Sequence, residues 1–348
     1  MAVISYKCPN CGGDLRFDPK TQQYKCEYCL SVFGEEEMQS SVGLEKEQNT
    51  ADQETDFQGE AMIYTCPSCG AEIMTDATTA ATFCYYCHNP VVLQGRLSGD
   101  YLPDKVLPFR FDRKEAEERF LQYVHKKKFI PKDFFSKKQI EKLSGVYFPY
   151  WVCEYTVDGR MDAKATKIRV YCTGDLEYTE TRYYDIRREA RMTFSGMSAG
   201  ALTKEERKLA ENVQPYRFSE MEEFHMGYLS GFFAEKREIE RTMVRDTMLS
   251  DAKRYAKETL RDSVRGYNAV TSEQTSVNVE KENWQYCLLP VWLVTYRGKG
   301  KKIFYYAMNG QTGEVFGELP VDYRKIAVLF AAVFFPVFLL LLLGGYWL

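Results

Sequence analysis

The sequence predicts two small cysteine-bearing β modules, an α+β domain behind them and one C-terminal membrane-spanning helix. Three observations carry this. Four Cys-x-x-Cys pairs lie within the first 95 of 348 residues, amphipathic and β-rich stretches alternate over 96–322, and an uncharged run of 23 residues closes the chain. The averages conceal all three. A 45% hydrophobic and 27% charged composition with a mean hydropathy of -0.41 describes an ordinary soluble protein. It excludes a mainly disordered chain and a polytopic membrane protein. Eleven cysteines are the one unusual count. An odd number, in a chain long enough to bury a core, argues against a disulfide scaffold.

Residues 1–34 form the first module and 61–95 the second. Cys8-x-x-Cys11 is followed after fourteen residues by Cys26-x-x-Cys29, and Cys66-x-x-Cys69 after fourteen by Cys84-x-x-Cys87. Each cysteine of the second set lies 58 positions beyond its counterpart in the first. Tyr-Lys-Cys-Pro-Asn-Cys-Gly at 6–12 also matches Tyr-Thr-Cys-Pro-Ser-Cys-Gly at 64–70. Two residues between cysteines allow a tight turn to aim both sulfurs at one ion, and two such knuckles complete a tetrahedral thiolate shell suited to Zn²⁺. Gly12 and Gly70 follow their second cysteines, where the turn calls for positive φ. Modules of about 30 residues have little core of their own, so metal binding should dominate their folding. The expectation is two small β zinc ribbons with two structural zinc ions, held by Cys8, Cys11, Cys26 and Cys29 and by Cys66, Cys69, Cys84 and Cys87. Four thiolates leave no open position for catalysis. Cys84-Tyr-Tyr-Cys87-His88 matches the haem-attachment pattern. That reading strands Cys66 and Cys69 and is set aside.

Residues 35–60 separate the modules. They begin with Glu35, Glu36 and Glu37 and hold nine acids against Lys46 alone, with Phe57 the one aromatic. Such a stretch cannot bury enough apolar surface to offset its ordering entropy and is expected as an acidic flexible linker. Net charge thus divides into -9 over 1–95 and +6 over the remainder.

The α+β domain is expected over 96–322. Asp112 with Glu115 forms a capping box ahead of Phe120, Leu121 and Val124, which predicts a helix over 112–128. Ser136 with Gln139 opens a second short helix reaching Leu143. Val146 to Val157 predicts a strand ending in a turn at Gly159, with more β structure from Lys167 to Thr193. A long helix is expected over 234–264 from the spacing of Ile239, Met243, Leu249, Ala252, Ala256, Leu260 and Val264. Strands follow at 285–296, 302–308 and 314–319, the last two joined by the turn at 309–313. Pro149, Trp151, Tyr155 and Gly159 recur as Pro290, Trp292, Tyr296 and Gly300, all displaced by 141. That offset predicts an internal duplication.

The closing segment, 323–348, is expected as a membrane anchor. Ile326 to Leu348 contains no charge, and as a helix at ~1.5 Å per residue would cross a ~30 Å hydrocarbon core. Tyr323 and the pair Tyr346 and Trp347 mark its two ends. Arg324 and Lys325 precede the span and nothing basic follows it, while no apolar h-region follows Met1. The expectation is a tail-anchored, single-pass protein of the cell membrane with its N-terminal domains in the cytoplasm.

No catalytic residue is predicted. His125 and His225 sit outside any recognisable motif, Cys153, Cys172 and Cys287 fall in predicted strands, and Arg297-Gly-Lys-Gly-Lys-Lys302 lacks phosphate-loop spacing. Basic runs at Lys126–Lys128, at Lys132 with Lys137 and Lys138, and at Arg187 and Arg188 with Arg191 suit either a solvated face or anionic headgroups.

Residues 1–95 resemble the zinc ribbon of transcription factor TFIIB. The whole chain resembles a group of bacterial TFIIB-type zinc-ribbon-containing membrane proteins. The likeness is carried by both Cys-Pro-x-Cys-Gly knuckles, by Tyr228-Leu-Ser-Gly-Phe-Phe-Ala-Glu235, by Leu289-Pro-Val-Trp292 and by Met308-Asn-Gly-Gln-Thr-Gly-Glu314. The resemblance implies no enzyme activity and points to envelope-stress assemblies with SPFH-domain and PspA-like partners. The expected function is a non-enzymatic membrane-anchored adaptor whose ribbons, on a flexible acidic arm, meet cytoplasmic and membrane proteins, with membrane lipid as a further partner. The alternative is a membrane-tethered nucleic-acid-binding protein. Electrostatics disfavour it, because 61–95 has no Lys or Arg and 1–34 carries only +1. No small-molecule substrate is expected.

Overall fold

The computed structural model describes residues 3–4, 6–34, 37, 61–66, 72–76, 79–84, 90–93, 101–131, 134, 140, 142–203, 212–297 and 303–346. The acidic linker, Glu37 apart, and the expected helix from Ser136 to Leu143 fall largely outside these residues.

After a short β1 (Val3–Ile4), the chain builds an antiparallel sheet from β2 (Leu15–Asp18), β3 (Gln23–Cys26) and β4 (Val32–Phe33). Alternation decides its faces. Tyr24 and Cys26 point inward while Gln23 and Lys25 face solvent. β5 (Ala61–Thr65) and β6 (Glu72–Asp76) form a separate hairpin, followed by the hairpin β7 (Thr79–Phe83) and β8 (Pro90–Leu93). That second hairpin belongs to the main sheet. β8 pairs with β1, and β7 pairs with a strand from the domain behind it, at Ala81↔Ala234.

The α+β domain runs through β9 (Lys105–Val106), α1 (Arg113–His125), β10 (Ser144–Thr173), β11 (Leu176–Gly200), β12 (Glu222–Glu223), β13 (Phe233–Glu235), α2 (Arg241–Asp262), β14 (Ala269–Arg297), β15 (Ile303–Asn309) and β16 (Val315–Glu318). Its sheet has the order β1-β8-β7-β13-β10-β14-β15-β16, with β11 on β10 and β9 on β14. α1 starts at the capping box read from the sequence, Asp112 accepting from the Glu115 amide at 2.8 Å and Glu115 from the Asp112 amide at 3.1 Å. Phe120 and Val124 on α1 enter the largest core cluster with Phe109, Tyr147, Trp292 and Tyr306.

Two expectations are corrected here. No turn occurs at Gly159. β10 continues for 30 residues, and the chain reverses only at 174–175. The glycine serves close approach instead. A Cβ at 159 would stand 2.8 Å from Leu260 Cδ1 and 2.8 Å from Met192 Cε, so α2 lies against the sheet at that point. The buried stripe of α2 is Val244, Met248, Ala252, Ala256 and Leu260, whereas Met243 is 70% exposed. Met243 lies about 100° round the helix from Val244, and it is the row through Val244 and the two alanines that seats on Trp151, Cys153, Tyr155 and Tyr286.

The offset of 141 recurs in the pairing register. β13 lies parallel to β10 at Val146↔Phe233 and Tyr147↔Ala234, and β9 lies parallel to β14 at Cys287↔Lys105 and Leu288↔Val106. The outer strands begin at Tyr150↔Gly200 and at Val291↔Asn309. The Ala201 amide donates to the Pro149 carbonyl and the Gly310 amide to the Pro290 carbonyl, both at 2.9 Å. Each unit is thus a short strand, a helix, a long strand and a hairpin return. Each short strand is inserted beside the other unit's long strand, with Phe148↔Leu289 at the centre.

The turn at 309–313 clamps a neighbouring segment. Asn309 Nδ2 donates to the carbonyls of Val213 (2.8 Å) and Pro215 (3.2 Å), while its Oδ1 accepts from the amides of Gln311 and Thr312. Gln311 Oε1 accepts the Arg217 amide at 2.8 Å. Both side chains are buried, so the motif at 308–314 is a structural one.

α3 (Tyr323–Tyr346) closes the chain. Its 323–342 segment has a mean hydropathy of 2.6 and none of its residues is buried in the protein; it is long and apolar enough to cross a membrane.

Candidate metal centre

Two equivalent turns bring four sulfurs together at the edge of the N-terminal sheet. The Gly12 amide donates to the Cys8 carbonyl at 2.8 Å and the Cys8 amide to the Gly13 carbonyl. Eighteen positions later, the Leu30 amide donates to Cys26 at 3.1 Å and the Cys26 amide to Ser31 at 2.9 Å. Gly12 has φ +72° and Leu30 has φ +61°. The second turn therefore holds a leucine in the conformation that the first gives to glycine, a cost carried by the site.

The sulfurs of Cys8, Cys11, Cys26 and Cys29 all lie within 4.8 Å of one another, with Cys8···Cys29 and Cys11···Cys26 at 3.5 Å. A tetrahedral ion with ~2.3 Å metal–sulfur bonds places its ligands roughly 3.8 Å apart, so the cluster has the dimensions of one such shell. Cys8 and Cys26 are buried and Cys11 and Cys29 exposed, so the position inside the shell sits at the sheet's outer end. Cys29 and Cys11 are shifted in opposite directions. Ser31, through its hydroxyl 3.2 Å away and its backbone, draws Cys29 down to about 6. The Gly13 amide pulls Cys11 down, but the crowding of Cys29 and Cys26 outweighs it and drives that thiol up to about 12. An ion that supplies positive charge between them removes this conflict. These residues can hold one metal ion.

Of the second set, Cys66 and Cys84 are buried in one cluster with Tyr64, Val91 and Leu93. Cys69 and Cys87 lie outside the described residues, as does His88. Among the described residues, Cys153, Cys172 and Cys287 join no cluster of possible metal ligands. Burial pushes Cys153 up to about 11 and Cys287 up to about 12, which makes them inert core thiols, while Cys172 is exposed on the long hairpin.

The sheet that carries these four cysteines is docked, a feature that the spacing of cysteines does not reveal. Tyr6, Cys8, Leu15, Phe17, Tyr24 and Cys26 all belong to the largest core cluster. Ser230 receives the Phe17 amide on its carbonyl at 3.1 Å and donates its hydroxyl to the Leu15 carbonyl. Tyr24 Oη lies 3.1 Å from His225 Nδ1, and Phe17 meets the Tyr228 ring edge-on at 5.0 Å. At the opposite end Gln22 Nε2 donates to the Phe109 carbonyl at 2.8 Å, and Lys20 pairs with Asp112, the N-cap of α1, at 2.9 Å. Burial lowers His225 to about 4, leaving it neutral at physiological pH. The segment from Tyr228 to Glu235 is the joint itself, since it carries Ser230 and then runs on as β13 between β7 and β10. The one sequence signal for it was the resemblance at 228–235.

The basic runs separate into two kinds. Arg187 pairs with Asp162 at 2.8 Å and Arg191 with Asp158 at 3.5 Å across the face of the long hairpin. Lys126, Lys127 and Lys128 are exposed beyond the end of α1.

No protein-family model matches the chain, and no solved structure matches it. It is 33% identical over 340 residues to an uncharacterized protein, YdjG of Bacillus subtilis (strain 168), a match spanning 97% of this chain and 96% of that one. With likeness of that extent from end to end, the chain belongs to the same family as YdjG.

Proposed function

We propose that the protein is a non-enzymatic, membrane-anchored zinc-ribbon adaptor, with α3 as its anchor and the remainder on the cytoplasmic side. One observation carries the proposal: the four-thiol cluster has no open ligand position and its sheet is part of the main core, so a bound ion stabilises a surface rather than performing chemistry. Arg324 and Lys325 ahead of an uncharged span support the orientation. Cys66 and Cys84 in one buried cluster support a second ribbon completed by Cys69 and Cys87. The matched registers of its two units support a duplicated domain.

The docked first sheet alters the mechanism expected of the adaptor. Its exposed face moves with the α+β domain as one body, so a partner reads a composite surface. SPFH-domain and PspA-like proteins are the partner class implied by the resemblance to TFIIB-type membrane proteins. Nucleic acid is a poorer fit, because Lys7 is paired with Asp14 and Arg16 with Glu27 around the cluster.

Two measurements test this. Metal analysis of the full chain in detergent should return two zinc ions per chain, falling by one in a Cys8→Ser/Cys11→Ser variant. A chain with intact cysteines and no zinc would sink the metal reading. Crosslinking and pull-down from membranes should lose partners when Cys66 and Cys69 are both changed to Ser, and an unchanged partner set would defeat the adaptor.

A further inference from the structure

The residues that follow α1 lie against the residues that begin α3. The Asp322 amide donates to the Phe129 carbonyl at 2.7 Å, and Lys325 Nζ donates to the Ile130 carbonyl at 2.6 Å. Two segments far apart in sequence, 126–131 and 321–326, are thereby held together where the apolar helix starts. Between them they carry Lys126, Lys127, Lys128, Arg324 and Lys325 against one acid, Asp322. The Asp322 carboxylate is engaged locally, accepting the Arg324 amide at 3.0 Å. None of the five cations forms an ion pair with a described residue. In contrast, Arg160, Arg187 and Arg191 on the long hairpin all face carboxylates. Lys126, Lys127, Lys128 and Arg324 are exposed. Lys127 lies over the Tyr123 ring at 5.3 Å, and Tyr323 is exposed beside the charges. Unpaired cations with aromatic rings among them, at the foot of an apolar helix, have the chemistry of the headgroup zone.

We propose that Lys126, Lys127, Lys128, Arg324 and Lys325 form a docking surface for anionic phospholipid headgroups, which seats the α1 end of the domain on the leaflet from which α3 enters. The inference rests on α3 spanning a membrane. Lysine ammoniums act here as point charges toward phosphodiester oxygens, a recognition tolerant of headgroup identity but dependent on charge. The consequence is orientation. A span alone leaves the domain free to swivel about its anchor, whereas two basic segments fixed to each other hold one side of it down.

The test uses the full chain in nanodiscs of phosphatidylcholine alone and of phosphatidylcholine mixed with phosphatidylglycerol. Pulsed amine acetylation read by mass spectrometry should modify Lys126–Lys128 and Lys325 about fivefold more slowly in the anionic discs, the factor that corresponds to ~1 kcal/mol per residue. High salt should abolish the difference. Lys253 and Lys257, exposed on α2, should react equally in both. In a Lys126→Gln/Lys127→Gln/Lys128→Gln variant, Lys325 should lose its lipid-dependent protection. Equal rates at Lys126–Lys128 in the two lipid mixtures would overturn the proposal. So would a Lys325 that stays protected in the triple variant, since the span would then suffice. A chain that does not co-elute with discs would instead refute the membrane helix.

Discussion

Tyr24 and His225 meet 201 positions apart in the chain, the phenol oxygen 3.1 Å from Nδ1, and so tie the strand that carries Cys26 to the joint ahead of β13. Tyr24→Phe should remove this bond and destabilise the protein by about 1 kcal/mol. His225→Ala should cost more, because it also empties a ring that packs on Tyr228 at 4.0 Å. A double-mutant cycle in thermal unfolding should show the two effects to be coupled, and simple additivity would disprove the link.

His225 also predicts a pH dependence. Burial holds its folded-state value near 4, below the ordinary 6.5. The neutral ring therefore contributes stability that is fully present above pH 6.5 and is lost as pH falls toward 4, since the unfolded chain takes up the proton first. Melting temperature should fall from pH 7 to pH 5 more steeply for the wild type than for His225→Gln. Parallel profiles would rule this out.

Removal of metal should reach beyond the N-terminal sheet. Leu15, Phe17 and Tyr24 are core residues, so chelation, or Cys8→Ser with Cys11→Ser, should expose apolar surface at Tyr228 and Leu229 as well. Hydrogen exchange over 225–235 is the measurement, and amides there should lose protection along with those of β2 and β3. Unchanged exchange over 225–235 would mean that the sheet is docked without being coupled.

Gly159→Val should destabilise by about 1–3 kcal/mol, because it forces Leu260 and Met192 apart. Gly159→Ala should cost less, since both contacts are ends of flexible side chains. If position 159 were a turn, Val and Ala would be equally disfavoured. Denaturant midpoints distinguish the two.

Asn309→Ala should cost about 2–3 kcal/mol, as it strands buried carbonyls at Val213 and Pro215 and two amides in its own turn. The variant should show early protease cleavage over 212–221 at temperatures where the wild type resists.

What could be read in the sequence, and what could not, follows the range of the forces involved. The first four metal-ligand candidates, the capping box at Asp112 and the C-terminal apolar helix are local patterns: the four sulfurs lie together, the box caps α1, and an apolar helix runs through 323–342. Gly159 was misread because a glycine in a strand marks either a turn or a close approach, and the helix that approaches it lies a hundred residues on. Met243 was misread because the apolar residues of this stretch fit more than one helical row, and packing on the sheet selects the one through Val244, Met248, Ala252 and Ala256. The docking of the cysteine sheet depends on pairs such as Ser230 with Leu15, for which no periodicity exists.

The insertion of each short strand beside the other unit's long strand bears on the order of synthesis. Lys105 pairs with Glu223 on one side, but its neighbour on the other, Cys287, is made only roughly 10–35 s after it at about 5–20 residues per second. Through that interval β9 and α1 lie unfinished, with Phe120 and Val124 still without Trp292 and Tyr306. The last strand needed, β16, ends at Glu318, and the apolar helix starts at Tyr323. The domain can close only when synthesis has reached the apolar helix, so completion of the sheet and the making of that helix fall in the same interval.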